Sequence, residues 1–113
     1  MTLAVKMSNQ KGRLFIEEDD FISFLSIISE PIRLKILELL LERDYYNVSD
    51  LLAILNKSQT LVSHHLRILK ELGLIISEKD TEDPRRTNYM LVNRGLIEKF
   101  FESAKEVLHY ACN

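Results

Sequence analysis

The sequence predicts a mainly α chain of the α+β class, with five helices and one β-hairpin. Three observations predict it. Apolar side chains recur with helical spacing along most of the chain, capping residues and a glycine divide that pattern into separate helices, and two short stretches with strand periodicity flank one polar loop. A length of 113 residues suits a single domain. Few structural signals occur in residues 1–16, which are predicted to form a flexible N-terminal arm.

Two helices are predicted in the first half. Four consecutive acids at residues 17–20 favour a helix N-terminus, and apolar side chains follow at i, i+3, i+4 and i+7: Phe21, Phe24, Leu25 and Ile28. Pro31 suits the first position of a second helix that runs to about Glu42. Its side chains predicted to face inward are Ile32, Ile36, Leu37, Leu39 and Leu40.

A pair of short helices follows a predicted short strand at residues 45–48. Ser49 is predicted to cap a third helix over residues 50–55, and Asn56 and Lys57 form a tight turn. Ser58 is predicted to cap a fourth helix that reaches Leu72, and Gly73 ends it.

The hairpin joins strands at residues 74–79 and 87–92 through a polar loop, residues 80–86, that contains Pro84. A last helix starts near Gly95, and its apolar side is Leu96, Ile97, Phe100, Phe101, Ala104, Val107, Leu108 and Ala111. A hairpin directly after two short helices is a winged helix-turn-helix, here with a two-stranded wing. This arrangement is predicted for residues 17–113.

The fourth helix carries the strongest functional signal. At 100° per residue, one side is polar, with Gln59 near its start: Thr60, Ser63, His64 and Arg67. An α-helix fits the major groove, so Gln59, Thr60, Ser63 and His64 are predicted to contact base edges, Arg67 a base or a phosphate, and Ser58 to join this DNA-binding set. The alternative is an ordinary solvated helix face. His65 lies on the opposite, apolar side and is predicted to be packed and bonded to backbone.

Arg85 and Arg86 in the wing loop are predicted to reach phosphates or a narrow minor groove. The alternative is a solvated charged loop, since Glu82 and Asp83 beside them partly cancel their charge. The net charge of −2 argues against nucleic acid, but residues 57–94 hold seven Lys and Arg against five Asp and Glu, which leaves −4 elsewhere.

The string Ser-Gln-x-x-Val-Ser-x-His-Leu-x-x-Leu-x-x-x-Gly-Leu at residues 58–74 resembles the ArsR-type winged-helix repressors. Residues 48–55, the Glu-Pro-Ile-Arg-Leu-Lys-Ile-Leu segment at 30–37 and Tyr89-x-Leu91 extend the likeness over residues 20–110. The resemblance implies a homodimer joined by the first and last helices. It also implies a roughly palindromic operator in double-stranded DNA and repression relieved by an effector, which stays unknown.

The apolar faces of the first and last helices exceed what a small domain can bury alone, which agrees with a dimer. The residues predicted at the dimer contact are Phe21, Phe24, Leu25, Ile97, Phe100, Phe101, Ala104 and Leu108. The alternative is that these helices only close the core of the monomer.

The chain departs from the metal-sensing members of the family. No thiol lies in residues 45–50, no Asp-x-His pair lies in the region that begins at Asn93, and Asp83-Pro84 replaces the usual wing glycine. Metal sensing is therefore not predicted, nor is any cofactor. Glu106, His109 and Cys112 are predicted to be solvated or at an interface rather than metal ligands, and nothing near Cys112 in sequence favours a redox switch.

The predicted function is DNA-binding transcription regulation. The alternative is a winged-helix module for protein–protein contact, which the slightly acidic charge favours. An enzyme is not predicted, because the sequence lacks a Gly-rich phosphate loop and a nucleophile elbow. The apolar runs are too short for a membrane span, the N-terminus lacks a secretory signal, and the single cysteine allows no internal disulfide. These features predict a cytoplasmic protein.

Overall fold

The computed structural model of the chain describes residues 7–10, 13–16 and 18–112, with side chains described from residue 19 onward. The elements in chain order are β1 (Met7–Gln10), β2 (Arg13–Ile16), α1 (Glu18–Ile28), α2 (Pro31–Glu42), β3 (Tyr46–Asn47), α3 (Val48–Leu55), α4 (Gln59–Glu71), β4 (Ile75–Lys79), β5 (Thr87–Leu91) and α5 (Arg94–Cys112). The predicted class, with five helices and a wing, is confirmed.

Two strands lie inside the predicted N-terminal arm. β1 and β2 pair antiparallel, with Met7 opposite Ile16 and Gln10 opposite Arg13. The sequence did not predict this hairpin because the polar run Ser-Asn-Gln in β1 lacks the alternation that marks a half-buried strand. The rest of the arm, together with Glu17, lies outside the described residues. The flexibility of the arm stays a prediction.

The start of α2 follows from two local features. Pro31 occupies the first turn, where a missing N–H removes no helical hydrogen bond. The Glu30 carboxylate caps the helix, since its Oε2 accepts from the backbone N–H of Arg33 at 3.0 Å. Four of the five side chains predicted to face inward are buried, and Ile32 is half-buried against the same core.

The cap of α3 differs from the prediction. The N-cap is Asn47, whose Oδ1 accepts from the backbone N–H of Asp50 at 2.9 Å, so Ser49 is already inside the helix. Asn and Ser are about equally good N-caps, so the sequence alone does not separate them. Asn47 also ends β3, and the chain therefore passes from strand to helix without a loop.

Both ends of α4 agree with the prediction. Ser58 is the N-cap, and its Oγ accepts from the backbone N–H of Leu61 at 3.2 Å. At the other end Gly73 has a φ of 79°, and the N–H of Leu74 donates to the carbonyl of Leu69 at 3.1 Å. This is a Schellman ending, which favours glycine because a Cβ is strained at positive φ. It turns the chain directly into the wing.

The wing belongs to a three-stranded antiparallel sheet of order β3-β5-β4. Ile75 lies opposite Leu91 and Lys79 opposite Thr87, while the short strand β3 places Tyr46 opposite Tyr89. The sequence predicted a strand near Tyr46 but not its partner. This pairing connects the start of α3 to the wing. The strand before the helix-turn-helix and the two strands after it therefore belong to one sheet.

The core lies between α2, α3, α4 and the sheet. Its fully buried side chains are Ile36, Leu37, Leu40, Leu51, Val62, Leu66, Leu69 and Ile75, with Ile28, Leu39, Tyr46 and Ile97 nearly so. Among the described ranges, no helix combines the length and apolar character needed to cross a membrane.

Candidate nucleic-acid interface

The side of α4 that the sequence predicted to be polar is exposed to solvent. We call its residues the recognition face: Gln59, Thr60, Ser63, His64 and Arg67, all of which are exposed. The opposite side of the same helix is buried: Val62, His65, Leu66 and Leu69. Because the buried side fixes the rotation of α4, the polar groups of the recognition face point together away from the core.

Two side chains of the recognition face contact one another. An Arg67 guanidinium nitrogen, Nη2, lies 3.2 Å from Nδ1 of His64, one turn earlier on the helix. Arginine has only donors, so Nδ1 of His64 is the acceptor when this hydrogen bond forms. The contact holds the Arg67 guanidinium close to the helix and leaves donors for an outside acceptor.

Ser58 has a structural partner within the chain. Its hydroxyl oxygen caps α4, so it is engaged in starting the helix that carries the recognition face. Its predicted place in the DNA-binding set stays a prediction.

His65 is packed, as predicted, but its partner is a side chain rather than backbone. It is 5% exposed, and its Nδ1 accepts from Nε of Arg33 on α2 at 3.0 Å. The Oε2 of Glu30 lies 3.6 Å from the same nitrogen. Burial lowers the pKa of His65, Arg33 and His64 lower it further, and Glu30 opposes them. His65 therefore belongs to the support behind the recognition face.

The wing loop is closed by Asp80 and Asp83. The N–H of Asp80 donates to the carbonyl of Arg86, the N–H of Arg86 donates to the carbonyl of Asp83, and the N–H of Asp83 donates to Oδ2 of Asp80. Among the described residues, positive φ occurs only at Asn56 and Gly73, so this loop contains none. A loop without a left-handed residue does not require glycine, which explains how Pro84 fits where the family has one.

Both wing arginines lie beside one carboxylate. Nε of Arg85 is 3.1 Å from Oδ1 of Asp83, and Nε of Arg86 is 3.8 Å from Oδ2. The hydrogen bonds from Arg85 hold the pKa of Asp83 below its usual value. The side chain of Arg85 is 91% exposed, so water screens this pair and an outside phosphate can compete for the guanidinium.

The recognition face and the wing meet at a shallow groove. Gln59 from the start of α4, Arg85 and Arg86 from the wing, and Ser49 from the start of α3 all line it. The structure thus brings together two predicted groups that are about 25 positions apart in sequence. Ser49 was not predicted to lie at this surface, and Asn47, the N-cap of α3, lines the same groove.

Two further arginines act as structural ties that the sequence analysis missed. Arg33 donates through Nη1 to the carbonyl of Ile27 at 2.7 Å, at the end of α1. Arg94 donates to the carbonyls of Leu40, Leu41 and Arg43 at the end of α2. A cation at a helix C-terminus is favourable because the last carbonyls are unpaired. The Arg94 contacts join segments more than 50 positions apart, so local sequence patterns carried no signal for them.

The predicted dimer residues differ in exposure. Phe21 and Leu25 on α1 and Ala104 and Leu108 on α5 are exposed, while Phe24, Phe100 and Phe101 are half-buried against the core. Ile97 is 5% exposed and belongs to the core of its own chain, which removes it from the surface. Further apolar side chains exposed on α1 and α5 are Ile22, Leu96, Val107 and Tyr110.

The end of α5 holds Glu106, His109 and Cys112, all exposed. Over the part of the chain that the structure describes, no three His, Cys, Asp or Glu side chains cluster as a metal site.

Comparison with known proteins identifies the segment that carries this interface. Residues 30–77 match the family described as bacterial regulatory protein, arsR family. They run from the cap of α2 to the middle of β4 and include the whole helix-turn-helix. We call residues 30–77 the ArsR-type segment; they make up less than half of the chain.

The ArsR-type segment also has curated relatives. The chain is 37% identical over 76 residues to the cadmium resistance transcriptional regulatory protein CadC of Listeria innocua, which covers 66% of this chain and 64% of that protein. It is 41% identical over 51 residues to the uncharacterized HTH-type transcriptional regulator MJ1325 of Methanocaldococcus jannaschii, covering 45% and 57%. The chain thus spans less than two thirds of the length of these relatives.

Solved structures of similar fold include regulators. A transcriptional regulator homologue from Pyrococcus horikoshii has a TM-score of 0.69 and 27% identity, covering 84% of this chain and 97% of that one. The M. tuberculosis protein Rv0081 has a TM-score of 0.72 and 25% identity, covering 81% and 88%. HlyU of Vibrio cholerae has a TM-score of 0.62 and 26% identity, covering 76% and 95%. The winged helix-turn-helix fold of this chain is therefore shared with transcriptional regulators.

Proposed function

We propose that this protein is a sequence-specific DNA-binding transcriptional regulator that inserts α4 into the major groove and lays the wing along the DNA backbone. The observation that carries the proposal is the recognition face, which is exposed, backed by a buried side and located inside the ArsR-type segment. The chemistry of the exposed groups fits the edges of base pairs.

The individual roles follow from position and chemistry. Gln59, Thr60 and Ser63 lie in the first half of α4, the part that enters the groove most deeply in helix-turn-helix proteins, and we assign them to base edges. His64 and Arg67 form one hydrogen-bonded pair, so we assign them jointly, with the Arg67 guanidinium as the donor to a base or a phosphate.

The wing arginines supply phosphate contacts in this proposal. They line the same groove as Gln59, so a backbone that passes the start of α4 also passes Arg85 and Arg86. Binding requires the phosphate to replace Asp83 as their partner. Because the pair with Asp83 is exposed and weak, this exchange costs little.

We also propose that two copies bind one roughly palindromic operator. The second half of α5 supports this proposal, since every described residue from Glu102 onward is exposed although the apolar stripe continues through Ala104 and Leu108. An uncovered apolar helix face is unusual for a monomer of this size. Repression, rather than activation, is the family habit that the resemblance implies, and the genome's compartment, the cytoplasm, is where such a protein acts.

The relatives named for cadmium resistance raise the question of the effector. Soft metal ions favour thiolate ligands, and this sequence contains one cysteine, Cys112, at the exposed end of α5. We propose that the signal relieving repression here is not cadmium. Cadmium added to a protein–DNA complex should leave binding unchanged at concentrations that saturate a thiolate site.

The test is selection of genomic DNA fragments by the purified protein, followed by footprinting at two salt concentrations. We expect a protected inverted repeat, and we expect Gln59→Ala with Ser63→Ala to lose the enrichment while Lys105→Ala on α5 keeps it. If the folded protein enriches no fragment even at low salt, the proposal fails. A winged-helix module for protein–protein contact, which the net charge of −2 favours, would then take its place.

A further inference from the structure

Directly behind the recognition face lies a buried histidine with a defined protonation state. Nδ1 of His65 accepts a hydrogen bond from Nε of Arg33 at 3.0 Å. An arginine can only donate, so Nδ1 carries no proton in this arrangement and the neutral ring carries its proton on Nε2. Because His65 follows His64 and precedes Arg67 by two positions, its ring anchors the turn of α4 that presents both.

The same arginine holds three helices together. From its position on α2, Arg33 reaches His65 on α4 through Nε and the carbonyl of Ile27 at the end of α1 through Nη1. Its own backbone N–H is fixed by Glu30. One guanidinium therefore links the middle of α4 to α2 and to the end of α1.

Glu30 offers His65 an alternative partner. Its Oε2 lies 3.6 Å from Nδ1 of His65, on the nitrogen that now accepts from Arg33. Once protonated, Nδ1 would be a donor, repelled by the Arg33 guanidinium and attracted to the Glu30 carboxylate. Among the described residues, the charged or titratable groups that act on the ring are Glu30, the N-cap of α2, Arg33 of α2 and His64 of α4. The end of α1 reaches this cluster through the Ile27 carbonyl, which accepts from Arg33.

We propose that Arg33 and His65 are positioning residues for DNA recognition: their hydrogen bond sets the placement of the recognition face, and a proton on His65 exchanges that bond for one to Glu30 and weakens specific binding. The inference rests on the proposed DNA-binding function. It goes beyond that function because neither side chain lies on the recognition face. It also makes the affinity for DNA depend on pH.

The first test uses the free protein, so it does not depend on DNA binding. Nitrogen-15 NMR of the imidazole rings at pH 7.5 should show His65 with its proton on Nε2. On acidification, the backbone amide resonances of Ser63, His64 and Arg67 should shift with the midpoint of His65, which lies below that of an ordinary histidine. A proton on Nδ1 at pH 7.5, or amide resonances on α4 that ignore the titration of His65, would overturn the proposal.

The second test measures the Kd for a selected DNA fragment from pH 7.5 down through the His65 midpoint found by NMR. It compares the parent with His65→Asn, both of which keep His64 and Arg67, so the difference between the two proteins isolates His65. We expect affinity to fall about fivefold or more on acidification, a size typical of coupling between sites. His65→Asn, which keeps an acceptor oxygen but does not titrate, should bind normally at pH 7.5 and show no such fall.

His65→Leu, which has no acceptor, should bind more weakly than His65→Asn at pH 7.5. Equal pH dependence in the parent and in His65→Asn, or equal affinity of His65→Asn and His65→Leu, would contradict the proposal. If neither parent nor variants bind any fragment, DNA binding itself fails, and the NMR experiment still decides whether His65 controls the placement of α4.

Discussion

The helices α4 and α5 share an amphipathic pattern but differ in what covers their apolar sides. In α4 the apolar residues Val62, Leu66 and Leu69 are buried by α2, α3 and the sheet. In α5 only Ile97 is buried, Phe100 and Phe101 are half-covered, and every described residue from Glu102 onward is exposed. The same periodicity thus predicts an apolar face in both helices, but it does not predict whether that face is buried by the same chain or by a partner. The uncovered half of α5 is the feature on which the proposed dimer rests.

The largest expected effect is on stability. Leu66→Ala should lower the free energy of unfolding by about 2–5 kcal/mol, because Leu66 is 1% exposed and its loss leaves a cavity beneath α4. The matched change Leu108→Ala removes a side chain that is 64% exposed, so it should matter only through association. Urea denaturation at two protein concentrations separates them. If both variants lose the same free energy of unfolding at both protein concentrations, the two helices do not differ in the way proposed.

The second prediction concerns association. Leu108→Glu places a charge in the middle of the uncovered stripe of α5 and should convert dimers to monomers in sedimentation, because a buried unpaired charge is costly. Lys105→Glu changes an exposed residue outside that stripe and should leave the dimer intact. Leu108 serves better than Phe100, which packs partly on its own core. A dimer that survives Leu108→Glu would mean that another face joins the copies.

A smaller effect is expected on the recognition face. Arg67→Ala should weaken specific binding by about 1–3 kcal/mol if the guanidinium contacts a base. Titrations of the selected site and of an unrelated fragment give the measurement, with Lys105→Ala as the control for loss of a cation. A loss of equal size on both fragments would reassign Arg67 to a phosphate.

The wing should change salt dependence more than specificity. Replacing Arg85 and Arg86 by Ala should reduce the slope of log K against log salt by about 1–2, roughly one per lost phosphate contact. Asp83→Asn should instead increase the affinity for DNA, since it removes the carboxylate that pairs with both arginines. An unchanged slope in the double variant would exclude the wing from the DNA surface.

The smallest effect is a pH dependence of folding. The pKa of His65 is lowered in the folded chain, chiefly by burial, so folding favours its neutral form. Its contribution to stability is therefore present above the unfolded value near 6.5 and is lost as the pH falls from there through the folded pKa. Unfolding of the parent at pH 7.5 and 5 should show this loss, and His65→Asn should lack it. A matching loss in His65→Asn would assign it to other groups.

Local signals predicted most of the fold. Pro31, Ser58 and Gly73 each act within one turn of their own helix, and the start of α2 and both ends of α4 followed from them to within a residue. The hairpin of β1 and β2 was missed because its first strand lacks alternation. Asn47 and Ser49 were confused because either side chain can cap a helix.

The exposed residues of the site could be predicted from the sequence, but the buried contacts that support them could not. Helical periodicity separated the recognition face from the buried side of α4, including His65. The partner of His65 lies 32 positions away, and Arg94 reaches a carbonyl 53 positions away. Contacts of this kind depend on how the helices pack, which no window of local sequence contains.

Arg94 has one consequence for the spacing of the two half-sites in DNA. It is the first residue of α5, and its guanidinium donates hydrogen bonds to the last carbonyls of α2, so the start of α5 is fixed to the helices that pack against α4. In the proposed dimer each α5 would then act as a stiff arm and hold the two α4 helices at a set separation. Inserting one base pair at the centre of an operator turns the half-sites by about a tenth of a helical turn. A dimer with such rigid helices would have a lower affinity for an operator with that inserted base pair, even when the sequence of each half-site is unchanged.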